Sequence, residues 1–252
     1  EAPDPLQAPE RFCGQTVMVN LGIRLQAVAD MVESGSVVAD IGCDHALVCI
    51  ALVERGICPK CYACDVAEGP LSRARQAISQ AGLQDQIIPV LQDGIAALAA
   101  DVDTVIIAGM GFETIRAILL EGRPQWARCR SLIIASHTDV EELRRFLSEE
   151  GFVIDTERIV RERHYYQILK THHDAAAPRL SETQIMFGCH RDDDPLFIEY
   201  WTHELNKCRD ILHQMPEGHA RRPALLQRQE RIQCRLYQKD AQMAGVSGML
   251  AL

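Results

Sequence analysis

Apolar positions along the 252-residue chain form short unbroken runs that alternate with stretches of helical spacing. Leu21, Leu25, Val28, Ala29 and Val32 recur at helical intervals and predict a helix over 21–33, stopped by Gly35. Val37 to Ile41 is an apolar run of strand length, followed by Gly42 and a helix over 46–54. The alternation continues with a strand over 61–66, a helix from Gly69-Pro70 to Ala81 closed by Gly82, and a strand over 87–91. Gln92-Asp93-Gly94 then leads into a predicted short helix. A fourth strand over 103–108 is apolar almost throughout, as a strand covered on both faces should be, and Gly109-Met110-Gly111 separates it from a helix over 112–120. Residues 132–135 are a fifth strand, after which Thr138 or Asp139 is placed to cap a helix through Leu143 and Phe146 to Glu150. Two last strands, 152–160 and 164–170, are separated only by Arg161-Glu162-Arg163, which forces them antiparallel. The pattern predicts an α/β fold: five βα units in a parallel sheet, ended by a hairpin that inserts one antiparallel strand.

Residues 171–178 (THHDAAAP) read as a linker. Beyond it, Phe197, Tyr200, Trp201, Leu205, Cys208, Ile211, Leu212 and Met215 share one helical face. Pro216-Glu217-Gly218 makes a turn, and a second helix from Pro223 carries Leu225, Ile232 and Leu236. Two amphipathic helices with a short turn predict a coiled-coil-like hairpin. The expected organisation is a proline-rich flexible leader over 1–18, a sheet domain over 19–171, and a linker with a helical domain over 172–252.

Composition adjusts this picture little. With 47% hydrophobic and 24% charged residues the chain reads as soluble and globular, and no apolar run reaches the roughly 20 residues of a membrane span. Many of its ten cysteines occupy apolar positions, which suits free thiols and a cytoplasmic location. Cys58, Cys61 and Cys64 have metal-like spacing, but strand alternation sends side chains three apart to opposite faces, so no metal is expected. The net charge of −9 argues against a nucleic-acid partner. Residues 221–239 argue the other way, with Arg221, Arg222, Arg228, Arg231, Arg235 and Lys239 against Glu230, a local 6 − 1 = +5. Arg221, Arg228, Arg235 and Lys239 follow the apolar seam and are candidates for phosphate contacts; a solvated face has the same pattern.

Candidate chemistry gathers at the first strand. A strand, a small-residue turn and a helix in that order form the corner of a nucleotide-type site. Only Gly42 of a three-glycine fingerprint is present, so a pyrophosphate fits poorly, while Asp40 and Asp44 suit a cationic, amine-bearing ligand such as S-adenosylmethionine. An ordinary βα corner with surface acids has the same residues. Asp65, at the end of the second strand, is spaced from Gly42 as a ribose-binding acid is, and Asp93 is placed for an adenine amine. The terminal hairpin distinguishes a class I methyltransferase sheet, Rossmann-like, from the all-parallel dehydrogenase sheet.

Taken together, these motifs resemble the bacterial tRNA (adenine(22)-N1)-methyltransferases, which act in the D-loop. The resemblance is carried by Arg24-Leu25, Ala39-Asp40-Ile41-Gly42, Asp44-His45-Ala46, Gly69-Pro70, Asp93-Gly94, residues 107–111 (IAGMG) and 200–205 (YWTHEL). It implies an S-adenosylmethionine-dependent domain followed by a helical domain that helps hold tRNA. It implies Asp44, His45 and Arg24 as the catalytic set, and a cofactor site of Asp40, Gly42, Asp65, Val66, Asp93, Gly94, Ala108, Gly109 and Met110. Gly111, Phe112, His137, Tyr166, Arg228 and Arg235 are expected on the tRNA side, with the ring of Phe112 or Tyr166 available to stack on an extruded base. The chain departs from the family at Phe112, at Ala135-Ser136-His137 and at Asp65, where glycine, Gln-Pro-Asn and glutamate are usual. Two other readings fit the residues: a methyltransferase for a small molecule or protein whose hairpin dimerises, and a non-catalytic RNA-binding relative.

Overall fold

β1 (Val37–Ile41), β2 (Lys60–Asp65), β3 (Ile87–Leu91), β4 (Thr104–Met110) and β5 (Ser131–Ser136) pair in parallel, and β7 (Tyr165–His173) enters antiparallel between β5 and β6 (Phe152–Arg161). The sheet order is therefore 3-2-1-4-5-7-6, the predicted inserted strand included. This computed structural model describes residues 19–189 and 194–243; the leader expected over 1–18 and the side chain of Lys239 lie outside the described residues.

Strand centres such as Val105-Ile106-Ile107 and Leu132-Ile133-Ile134 are fully buried because helices cover both faces. α1 (Ile23–Ala29), α2 (Leu47–Glu54) and α3 (Glu68–Ala81) share one core, built on Val28, Leu52 and Ile78. α4 (Phe112–Glu121), α5 (Arg123–Trp126) and α6 (Val140–Glu149) share the other, built on Ile115, Trp126 and Leu143. A third cluster joins Ile159 of β6 to α7 (Glu182–Phe187), α8 (Pro195–Gln214) and α9 (Arg222–Met243). Phe197, Trp201, Leu205 and Cys208 form its stripe on α8, and Leu212 is buried one turn further on, whereas Ile211, predicted on that face, is 47% exposed. Arg222 closes the α8–α9 turn by donating to the carbonyls of Leu212 and Met215 at 2.8 and 2.7 Å.

The helix predicted after Gly94 does not form. Arg128 takes the carbonyls of Leu98, Ala99, Ala100 and Val102, and Ile95 and Leu98 anchor the segment in the core as turns. Gly109-Met110 is not a separate loop, because β4 runs on to Met110 with a register shift against β5 after Ala108. Asp139 does occupy the N-cap of α6, but at φ 51° its side chain makes no cap bond. The linker expected from Thr171 begins later. Thr171 is buried and pairs with Leu132 and Ile154, His172 bonds Asp155 at 2.9 Å, and His173 lies against Trp126 and Phe152. A boundary at residue 171 would therefore cut through β7, since β6 is long enough to give all three residues partners.

One buried ion pair fastens the helical unit to the sheet. Arg144 of α6 donates to Glu157 at 2.8 Å, to the Ile185 carbonyl at 2.9 Å and to Gln167, while Glu157 accepts from the Cys189 backbone at 2.6 Å. Neither charged side chain has any exposure.

Candidate active site

The corner after β1 is shaped by backbone constraint. Gly42 has φ 74°, and a Cβ there would collide with the terminal methyl of Met110. Gly42 and Cys43 both donate to the Cys64 carbonyl, at 2.8 and 3.0 Å, which ties this turn to the end of β2. Asp44 (φ 45°) and Ala46 (φ 53°) are left-handed despite their side chains, a conformation that persists only where surrounding structure enforces it. Beside the turn, Asp65 is buried at the end of β2, with one carboxylate oxygen accepting from Ala67 N at 3.0 Å. Val66 is 65% exposed, and Asp93 and Gly94 form an open turn beyond β3. Asp40 sits beneath the turn, buried, with the Cys49 thiol at 3.9 Å. Burial, then the neighbouring Asp65 charge, pushes its carboxyl up to about 7.

These residues fit a nucleoside-type methyl donor. The missing Cβ at Gly42 admits the Met110 methyl, which packs against the turn as one wall of a cradle; Asp65 has an oxygen left for a ribose hydroxyl, and Val66 offers an apolar lip for a purine. Ala108, Gly109 and Met110 close the cradle from the end of β4.

A second group lies on the β5–β7 side of the same edge. The Arg24 guanidinium stands over the Tyr166 ring, 5.4 Å from its centroid, and its buried Nη1 has no hydrogen-bond partner among the described residues. His137 lies 5.7 Å from Tyr166, and His164 6.5 Å. Partial burial, with the Arg24 charge beside it, moves His137 below its ordinary range, so the neutral ring prevails at neutral pH. Asp44 is exposed and accepts from Arg73 Nε and Nη2 at 3.1 and 2.6 Å, with His45 3.7 Å from its other oxygen. Arg73 was absent from the expected set. Only the fold, by setting α3 beside the turn 29 residues earlier, brings it to Asp44.

Residues 21–169 match the model of a methyltransferase-domain family. The tRNA (adenine(22)-N(1))-methyltransferase of Bacillus subtilis is 28% identical over 209 residues, 79% of this chain and 87% of that protein. A candidate tRNA (m1A22) methyltransferase from Streptococcus pneumoniae, solved with S-adenosyl-L-methionine, is 32% identical with a TM-score of 0.78 over 86% of this chain and all of that one. The chain belongs to the tRNA (adenine(22)-N1)-methyltransferase family. TrmK of M. capricolum, solved with S-adenosyl-homocysteine, is similar too: 28% identity and a TM-score of 0.76, covering 86% of this chain and 97% of that one.

As a member of that family the chain departs from expectation at three tRNA-side positions. Phe112 does not line the cleft: it opens α4 buried, packed edge-on against Phe146 at 6.4 Å, and cannot stack on a base. Thr138 is what holds this junction, its hydroxyl accepting from Phe112 N at 3.2 Å and lying beside Gly111. Arg228 and Arg235 are not part of a solvated row. Arg228 bonds Glu141 at 2.7 Å and lies 5.9 Å over Trp201, while Arg235 lies over Phe187 and Phe197. Among the described residues no helix is long and apolar enough to cross a membrane, and no group of three His, Cys, Asp or Glu could hold a metal.

Proposed function

We propose that this protein transfers a methyl group from S-adenosylmethionine to N1 of an adenine in tRNA, at position 22 of the D-loop. The observation that carries the reading is the meeting, at one sheet edge, of a donor cradle at Gly42 and Met110 with an uncommitted cation stacked on a ring at Arg24 and Tyr166. When bound, S-adenosylmethionine supplies an electrophilic methyl on a sulfonium, which the lone pair of adenine N1 takes with neutralisation of the sulfur. Alignment supplies most of the acceleration in such a displacement.

Asp65 binds the ribose of the donor, and Val66, Asp93 and Gly94 frame its purine. Gly42, Ala108, Gly109 and Met110 shape the cradle, and Asp40 contributes its field from below. The neutral N1 needs no strong base, but the methylated purine is cationic, so the carboxylate of Asp44 stabilises charge that grows during transfer. Arg73 orients that carboxylate, and His45 holds the exocyclic amine. The target adenosine must leave its stack to reach this edge; Tyr166 and His137 receive its ring, and Arg24 Nη1 meets an acceptor on it. Gly111 gives the base room beside Thr138. Arg228 stands at the rim of the cleft where a phosphate can take the place of Glu141, and Arg235 acts by packing the hairpin. The sheet domain carries donor and chemistry and the helical unit holds tRNA; the free cysteines among the described residues suit the reducing cytoplasm.

Because Phe112 is core, its departure from the family pattern leaves the cleft unobstructed, which favours an active enzyme over a non-catalytic relative. Mass spectrometry of nucleosides from tRNA incubated with the enzyme and labelled donor tests the reading. One label on N1-methyladenosine is expected, and unlabelled tRNA beside a labelled protein or metabolite would overturn it.

A further inference from the structure

A cleft of about 800 Å³ opens on the other face of β7 from Tyr166, between the start of α6, the β6–β7 turn and α8. His137 and His164 line it and also flank Tyr166, so the cleft is continuous with the rim of the proposed adenine site. Its wall is ring-rich: Tyr165 lies 5.4 Å from both Tyr200 and His203. Its charges are largely cancelled in place. Glu204 bonds Lys207 at 2.7 Å, Glu141 bonds Arg228, and Glu199 accepts from both Arg161 and the Tyr165 hydroxyl. Arg163, at the turn, and Asp139, at the start of α6, have no ion pair among the described residues.

Rings set among paired charges, with one free guanidinium, are chemistry for an unpaired base and one phosphate, not for a duplex backbone. We propose that this cleft receives the unpaired nucleotide adjacent to the methylated adenosine, its base against Tyr165 and His203 and its phosphate at Arg163. The inference rests on the tRNA reading above. One extruded nucleotide at Tyr166 drags its neighbour over the end of β5, and the cleft is the first ring-lined space beyond it. The two arginines at the turn thus differ in role, Arg161 bracing Tyr165 through Glu199 and Arg163 meeting RNA.

The test is a binding measurement, independent of turnover: fluorescence anisotropy of tRNA transcripts with the full-length protein and S-adenosylhomocysteine. A transcript with an abasic nucleotide beside the target adenosine should bind wild type about tenfold more weakly than the intact one, the order expected for one stacked base. The double variant Arg163→Ala/His203→Ala should bind intact tRNA at least tenfold more weakly and lose little further on the abasic transcript. Equal, additive losses in wild type and variant, or an unchanged affinity of the variant, would overturn the proposal. Failure of the tRNA reading itself looks different, as wild type would then bind intact and abasic transcripts alike and no better than an unrelated RNA. Both substituted side chains are exposed, and the melting temperature and S-adenosylhomocysteine affinity of the variant verify its fold.

Discussion

Around β1, β2 and β4 the working edge consists of enforced backbone turns and buried carboxylates, whereas around β5, β7 and α8 it consists of partly exposed rings and charge pairs between distant elements. The first region draws on residues close in sequence: Asp40, Gly42, Asp44, Asp65 and, from β4, Met110. The second takes Arg24 from α1, His137 from the end of β5, Tyr165 and Tyr166 from β7, His203 from α8 and Arg228 from α9. On the proposed reading, a small donor of fixed shape is met by a fixed corner. On the same reading, a long and variable polynucleotide is met by a surface assembled from five elements, held in place by the Arg144–Glu157 pair.

That contrast can be broken most severely at the pair itself. Arg144→Ala leaves Glu157 buried without its cation and should cost about 3–5 kcal/mol in urea denaturation. A loss below about 1 kcal/mol would mean the helical unit is held by its apolar cluster alone. Asp44→Ala should lower kcat for tRNA methylation by about 10²–10³-fold, as removal of one preorganised charge-stabilising group does. Its affinity for S-adenosylhomocysteine in calorimetry should stay near wild type, and a fall of similar size there would move Asp44 from catalysis to donor binding. Gly42→Ala should act in the opposite sense. Strain at φ 74° and the collision with Met110 should weaken S-adenosylhomocysteine binding at least tenfold, the equivalent of about 1.4 kcal/mol or more. The smallest expected effect is on pH dependence. The Asp40 carboxyl is pushed up to about 7 by burial and by Asp65. Between about pH 4 and 7 the folded protein therefore keeps a proton that the unfolded chain has released, and stability falls as pH rises through that window. Asp40→Asn should flatten this fall and raise Tm at pH 8 by a few degrees, roughly 2–4 °C per kcal/mol for a domain of this size. An unchanged pH profile would show that Asp40 is ionised in the fold.

The legibility of the two regions in the sequence follows the same division. Val37–Ile41 was readable to the residue because a covered parallel strand is an uninterrupted apolar run, and the edge strand Ile87–Leu91 because its apolar run is bounded by polar residues on both sides. The turn at Gly42 was readable because it needs glycine at that place. The hairpin 152–170 was readable from its three-residue connection, although β7 extends to His173 because pairing partners, not composition, decide where a strand stops. Arg73, the ring wall of Tyr165, Tyr200 and His203, and the buried Arg144 left no periodic trace, since each is defined by a neighbour 13 to 38 positions away. Phe112 misled for a related reason. Its place after Gly-Met-Gly pointed to the cleft, but as the first residue of an amphipathic helix it faces Phe146 and the core. Of the arginine row at steps of seven, Arg228 and Arg235 follow the seam of the hairpin and turn onto α6, α7 and α8, while Arg221 stays exposed.

The reversal of β7 has an evolutionary consequence. Because this strand runs against its neighbours, the short connection before it, residues 162–164, emerges at the same end as the tips of the parallel strands. On the proposed reading, lengthening or rewriting that connection would change what the enzyme grips without touching a residue of the donor corner. Target choice in such a protein can drift by mutation of one surface turn while its methyl chemistry stays constant.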